Sequence, residues 1–193
     1  MNSSFFALIL RMRHIERWGL MRSTIRDDLS QHSFDTAVFA HALCTIGNVR
    51  LGKNLDAGRC AVLALYHDAG EIITGDMPTP VKYRSRALHD LYKEVEKEAA
   101  EELVSRLPED LQPAYRGILS PGEEDAPLLP YLKAADKLAA CIKCIQEVES
   151  GNREFQSALE SQQEALEKME LPEVQIFLRE FVPAFRQDLD HHL

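Results

Sequence analysis

The stretch Asp56-Ala57-Gly58-Arg59-Cys60-Ala61-Val62-Leu63-Ala64-Leu65-Tyr66-His67-Asp68 decides the reading of the fold. Asp56 is a residue type that caps helix N-termini, and the run after it is apolar apart from Arg59. That run is long for a strand and falls well short of the roughly 20 apolar residues that span a bilayer. It predicts a helix at the centre of a buried core. His67 and Asp68 close the helix where a solvated charge is out of place, so Asp68 needs a compensating partner.

Working outward, helical periodicity covers most of the chain, and no segment shows the sustained alternation of a half-buried strand. The fold class is all-α. A first helix is expected from about Ser4 to Ile15, capped by Ser3 or Ser4, with Phe5, Leu8, Ile9 and Met12 on one face. After a loop from Arg17 to Leu29, Ser30 is placed to cap a second helix that ends at Gly47 and Asn48 and carries His32 in its first turn. Gly70, Gly75, Pro78 and Pro80 punctuate the stretch after Asp68, which predicts a short helical turn from Glu71 and then an irregular loop to Tyr83.

A charged helix is expected from Ser85 to Leu107, acting as scaffold with the run Glu94 to Glu102 on a wet face. Leu128, Leu132, Ala135, Ala139, Ile142 and Ile145 recur at steps of three and four and predict a long amphipathic helix ended by Gly151 and Asn152. Two more helices, about Arg153 to Lys168 and Pro172 to Asp190, complete the chain. No internal repeat or linker divides it, so residues 1–193 are expected to form a single domain.

The net charge of −9, from 31 acidic against 22 basic residues without a basic cluster, argues against a nucleic-acid polymer as partner. No stretch is long enough for a membrane span, and Arg11 and Arg13 break the apolar N-terminal run, so a cytoplasmic protein is expected. Cys44, Cys60, Cys141 and Cys144 read as reduced thiols. Cys141 and Cys144 form a CxxC inside a helical stretch without a second pair to complete a zinc site, which favours helix packing.

A His-Asp dipeptide alone favours a cap or core role over metal ligation. Its weight changes with His32 one helix earlier and Asp136 in a later helix, one position off the apolar stripe. Together these give two imidazoles and two carboxylates, a donor set suited to one divalent transition metal, Mn, Co, Ni, Fe or Zn, rather than to a dedicated Mg or Ca site. Four protein ligands leave positions for water and phosphate, as metal-assisted phosphate hydrolysis requires. Glu71 follows Asp68 by one helical turn, so both carboxylates share a side. Arg17 suits a phosphate clamp or an ion pair, and Trp18, the single tryptophan, suits a core anchor or a ligand wall. His14, His41, His89 and the pair His191-His192 assemble no second metal site and are read as structural or solvated.

The spacing of His32, His67-Asp68 and Asp136 on successive helices resembles the HD-domain phosphohydrolases. The strings Arg17-Trp18-Gly19-Leu20-Met21-Arg22, Ser30-Gln31-His32-Ser33 and His67-Asp68-Ala69-Gly70-Glu71-Ile72-Ile73-Thr74-Gly75-Asp76-Met77-Pro78-Thr79-Pro80-Val81-Lys82-Tyr83 resemble its YfbR-like 5′-deoxynucleotidases. Gly19, Gln31, Gly70 and Met77 stand where that pattern has Pro, Glu, Ser and Leu, and none of them is a proposed ligand.

The resemblance implies a helical HD bundle with the metal between its central helices, a homodimer, and hydrolysis of deoxyribonucleoside 5′-monophosphates. It assigns His32, His67, Asp68 and Asp136 to the metal, with Asp68 and Asp136 also on the substrate. Glu71 becomes the proton donor and Arg17 the phosphate clamp. Trp18 crowds the 2′ position, Asp76 accepts from the 3′-hydroxyl, and Met77, Pro78 and Thr79 line the wall. The homodimer is compatible with the apolar residues Phe177, Leu178, Phe181 and Phe185, which serve a core equally well.

Two other readings stay open. An HD enzyme acting on a cyclic dinucleotide, a nucleoside triphosphate or an alarmone would draw on Lys82, Arg84 and Arg86 for the added phosphates. A non-catalytic module that binds metal or nucleotide would be marked by a broken ligand set, whereas all four ligands and Glu71 are present.

Overall fold

A computed structural model of the chain describes residues 2–82, 84–187 and 189–191; Tyr83 and His192 lie outside them. The described residues are helical, and their extended pairing is limited to one antiparallel bridge between Glu16 and Asp28. The elements are α1 (Phe5–Ile9), α2 (Leu29–Leu51), α3 (Ala57–Tyr66), α4 (Glu71–Thr74), α5 (Thr79–Lys82), α6 (Arg86–Ser105), α7 (Gln112–Leu119), α8 (Leu129–Glu149), α9 (Gln156–Glu167) and α10 (Pro172–Glu180).

The main core lies between α2, α3 and α8, with α9 and α10 closing it through Leu159, Leu166, Val174 and Phe177. Phe5 of α1, Ala69 and Leu103 of α6 form a smaller cluster on the other side of α3. The most deeply buried helix is α8, whose Tyr131, Ala134, Ala135, Leu138, Cys141, Cys144 and Ile145 all face protein. The expectation that α3 would be the central helix is corrected accordingly. It buries Cys60, Leu63 and Ala64, while Leu65 is exposed and Arg59 pairs with Asp125 at 2.7 Å along its flank. All four cysteines are buried free thiols, Cys141 and Cys144 within α8.

Several boundaries differ from expectation, each for a local reason. The cap of α2 is Asp28 rather than Ser30: its carboxylate accepts from the amides of Ser30 and Gln31 while Gln31 reaches back to the Asp28 amide, a reciprocal capping box. The helix also runs past Gly47 and Asn48 to stop at Gly52, which adopts φ 67°. Gly47 serves packing instead, since a Cβ there would lie 2.7 Å from the Glu173 carboxylate.

The first helix tightens into a 3-10 turn at Leu10–His14. The last gives way at Phe181 to a 3-10 turn containing Pro183, which cannot continue an α-helical ladder. The segment Gln112–Leu119, left without an element by the sequence reading, is α7. Of the C-terminal apolar residues, Phe177 is buried and packs with Phe185 around Phe39, so most of that surface belongs to the core.

Candidate active site

His32 enters the interior from the first turn of α2, where the Asp28 box fixes the helix start, and its side chain is 2% exposed. His67 follows α3, and its Nδ1 lies 2.7 Å from the Ala64 carbonyl. A carbonyl only accepts, so Nδ1 carries a proton and Nε2 is the ring nitrogen turned inward. The two rings stand 5.2 Å apart.

Between them lie the carboxylates of Asp68 and Asp136. His67 Nε2 is 3.1 Å from Asp68 Oδ2 and 3.9 Å from Asp136 Oδ1, and His32 Nε2 is 3.0 Å from Asp136 Oδ1 and 3.6 Å from Asp68 Oδ2. Donor atoms of His32, His67 and Asp68 fall within 4.8 Å of one another; Asp136 completes the group from α8 with a half-exposed side chain.

Neither imidazole Nε2 has a partner in hydrogen-bond geometry although both are buried. Burial works to raise the Asp68 carboxyl, but the neighbouring histidines and Arg17 outweigh it and hold it well below the usual range. Asp136 is likewise lowered, its histidine contacts prevailing over burial. Burial would lower His67, yet the two carboxylates push it up to about 9. A pocket whose negative field retains a proton on a buried imidazole retains a cation by the same physics. Two orphaned imidazole nitrogens facing two ionised carboxylates therefore fit a divalent transition metal.

Glu71, at the start of α4, is 7% exposed, and its Oε2 lacks a partner. Burial, then the charges of Asp68 and Asp76, push it up to about 9 against the opposing pull of Arg17 and Lys82, so it stands protonated at neutral pH. A cavity of about 340 Å³ opens beside it, lined by Tyr66, His67, Asp68, Glu71, Lys82 and Ser120 among others.

Arg17 reaches the group from the loop, with Nη1 3.3 Å from Asp68 Oδ2. Trp18 adopts a positive φ of 60°, the only non-glycine to do so among the described residues, and packs on Phe155 with ring centres 5.2 Å apart. Its backbone lies beside the Asp76 carboxylate, whose pKa burial raises against the opposing pull of Arg17. Trp18 and Asp76 thus come together across the chain, and Trp18 has a core face and a site face at once. Met77 and Pro78 follow half-buried, with Thr79 exposed at the start of α5.

Two residues that sequence reasoning passed over organise this loop. Asp27 accepts from the Trp18 indole N–H at 2.9 Å, lies 3.5 Å from Arg17 Nε, and its carbonyl takes the Arg17 amide. Glu147 of α8 is fully buried and accepts from the Thr24 and Ile25 amides, the Thr24 hydroxyl, Asn152 and Lys143. A lone Asp in a loop and a Glu in a charged helix carry no distinguishing spacing. The buried position of Glu147, i+4 from Lys143 on the long helix, is the one available signal. Among the remaining histidines, His41 lies on the exposed side of α2 beside Thr45, and His89 is beside Asp90 at 3.2 Å.

A 5′-deoxynucleotidase of Photorhabdus laumondii is 42% identical over 97% of this chain and 95% of its own. One of Vibrio vulnificus is 41% identical over 98% and 97%. Among solved structures, an HD-domain phosphohydrolase from Listeria innocua shares the fold with a TM-score of 0.82 at 24% identity, covering 96% of this chain and 90% of its own. A cyanophage S-2L HD phosphohydrolase bound to dA and one catalytic zinc ion superposes with a TM-score of 0.64 at 20% identity, over 93% and 95%. The family model described as 5′-deoxynucleotidase YfbR-like matches residues 4–185, and the chain belongs to that family of HD-domain proteins.

Proposed function

We propose that this protein is a metal-dependent 5′-deoxynucleotidase that converts deoxyribonucleoside 5′-monophosphates to deoxynucleosides and inorganic phosphate. The observation that carries the reading is the pair of buried, unpartnered imidazole nitrogens of His32 and His67 facing Asp68 and Asp136, with the protonated Glu71 alongside. Support comes from the relatives named as 5′-deoxynucleotidases.

His32, His67, Asp68 and Asp136 would hold one divalent ion, of Co, Mn, Ni, Zn or Fe, which when bound acidifies water and screens phosphoryl oxygens. The Arg17 guanidinium, now spread over Asp68 and Asp27, offers its fork to the phosphate and sets it in line. As the new P–O bond forms from a water that gives up one proton to solvent and the P–O5′ bond breaks, Glu71 gives its proton to the departing 5′-oxygen and is reprotonated from solvent afterwards. Asp76 accepts from the 3′-hydroxyl while Trp18 occupies the space a 2′-hydroxyl would need, with Met77, Pro78 and Thr79 as the adjoining wall. Lys82, which a substrate with added phosphates would call on, is engaged by Glu96 at 2.7 Å, so a monophosphate is the better match.

The reading includes a cytoplasmic setting, in keeping with four free thiols and with no described helix long and apolar enough to cross a membrane. It also includes a homodimer. With Phe177 and Phe185 packed around Phe39, one apolar surface open to a second copy is the exposed side of α2 bearing Phe34, Val38 and Val49. Chelated protein resupplied with Mn, Co, Zn or Mg and given deoxyadenosine 5′-monophosphate tests the function. Phosphate release restored by a transition metal is expected, and no cleavage of any monophosphate under any metal would overturn it.

A further inference from the structure

The stretch from Gly75 through the end of α5 carries Asp76, whose carboxylate senses the Trp18 backbone and the charge of Arg17 across the chain. Its position depends on how the two ends of that stretch are held. Both ends are held by one face of α6, through Tyr92 and its i+4 neighbour Glu96.

At the near end, the Tyr92 hydroxyl lies 3.2 Å from the Gly75 carbonyl, to which it donates, and 3.1 Å from Thr74 Oγ1. Gly75 adopts φ 74° and ψ 161°, a conformation open essentially to glycine, so the carbonyl that Tyr92 grips sits on the one residue able to make this bend. At the far end, Lys82 Nζ donates to Glu96 Oε1 at 2.7 Å and stands 4.7 Å above the centre of the Tyr92 ring. Tyr92 touches both ends at once: its hydroxyl holds Gly75 and its ring face holds the Lys82 ammonium. Tyr92 is 5% exposed, and Glu96 is half-buried on a helix whose neighbours Glu94 and Glu98 are solvated.

We propose that Tyr92, Glu96 and Lys82 form a clamp of positioning residues that fixes Asp76 against the sugar's 3′-hydroxyl and thereby sets the selection of deoxyribose. The inference rests on the 5′-deoxynucleotidase reading for the role of Asp76. Tyr92 stands outside the cavity beside Glu71, whereas Lys82 and Glu96 line it, so Tyr92 isolates the positioning effect. Its effect is preorganisation: an acceptor displaced by a fraction of an ångström lets the sugar slide away from Trp18, and the space that excludes a 2′-hydroxyl opens.

The test uses the metal-loaded enzyme and the variants Tyr92→Phe, Glu96→Ala and Lys82→Met, with Lys82→Arg as the conservative control. Turnover of a deoxynucleoside, a ribonucleoside and a 2′,3′-dideoxynucleoside 5′-monophosphate is compared. Each clamp variant is expected to lower kcat/KM for the deoxy substrate several-fold, mainly through KM. The dideoxy substrate has no 3′-hydroxyl to misplace, so its kcat/KM with Tyr92→Phe should stay within about twofold, and Lys82→Arg should recover most of the loss that Lys82→Met causes on the deoxy substrate.

A second readout does not need catalysis. Trp18 is the only tryptophan, and its backbone lies beside Asp76. Loosening the clamp should raise acrylamide quenching of its fluorescence. Equal losses on deoxy and dideoxy substrates with unchanged quenching would overturn the clamp. Changed quenching in a protein that hydrolyses no monophosphate would uphold the positioning of Asp76 and overturn the substrate reading instead.

Discussion

Glu71 carries a proton because its surroundings are apolar and negatively charged, and a carboxyl in that state is matched to protonating a leaving oxygen near neutral pH. Glu71→Gln keeps the shape and removes the proton, so kcat should fall by about 10² to 10⁴, the usual size of a general-acid contribution. In the metal-free protein the acid form is lost as pH rises through about 9, and because a dication on Asp68 cancels part of the negative charge, activity should decline at a pH no higher than that. Stability carries the opposite cost. Above the unfolded glutamate value of about 4.3 the unfolded chain loses this proton while the folded chain keeps it, so stability falls between that pH and about 9. Glu71→Gln should therefore melt no lower than the parent at pH 8, which thermal denaturation checks; a strongly lowered melting point would show that Glu71 is a structural residue.

The closeness of His67, Asp68 and Glu71 was legible in the sequence because it is local, one helix end and one following turn, whereas their weight as a candidate site came from His32, Asp136 and the family resemblance. Asp27 was not legible, since its significance lies in contacts to two side chains of a folded loop.

At the scale of elements, the loop from Glu16 to Asp28 is the part least explained by periodicity and most dependent on long-range partners. Glu147 gathers the Thr24 and Ile25 amides onto α8, and beside it Lys143 is 6% exposed and also donates to the Ile25 carbonyl. Removing the carboxylate by Glu147→Gln leaves a buried ammonium without its counter-charge, and a loss of about 3 kcal/mol is expected in chemical denaturation. Burial opposes ionisation of Glu147, but its donors prevail and hold it well below its ordinary value. Its stabilisation is present above the unfolded value of about 4.3 and is lost as pH falls below it, so the gap between parent and variant should narrow in acid.

Where α2 crosses α10, Gly47→Ala would drive a methyl group into a Glu173 carboxylate already fixed by Lys53 at 2.7 Å, and destabilisation of about 1–3 kcal/mol is expected from the same measurement. Composition alone marked Gly47 as a stop signal, because a glycine that ends a helix and one that admits a neighbour look alike in sequence. The cap of α2 was misplaced for a related reason: Asp28 and Ser30 are both good cap residues, and only the reciprocal reach of Gln31 distinguishes them. The short α7 escaped notice between Pro108 and Pro121, where its few residues give little periodicity to read.

For the whole molecule, an all-α bundle followed directly from the absence of alternation and the recurrence of apolar residues at three and four. The bundle brings α2, the end of α3 and α8 to one point, so the proposed ligands, far apart in sequence, meet with the buried nitrogens of His32 and His67 unsatisfied. An ion that binds only the folded state stabilises it by about 2.7 kcal/mol at a hundred times its Kd. For a chain of this size the melting temperature should rise by roughly 5–10 °C on adding metal to the chelated protein. The variants His32→Ala and Asp136→Ala should lose that rise.

The most direct test of the function is phosphate release from paired deoxyribo- and ribonucleoside 5′-monophosphates by the metal-loaded protein, with and without chelator. Turnover confined largely to the deoxy member and abolished by chelation is the expected result. Equal turnover of both members, or turnover that survives chelation, would contradict the assignment.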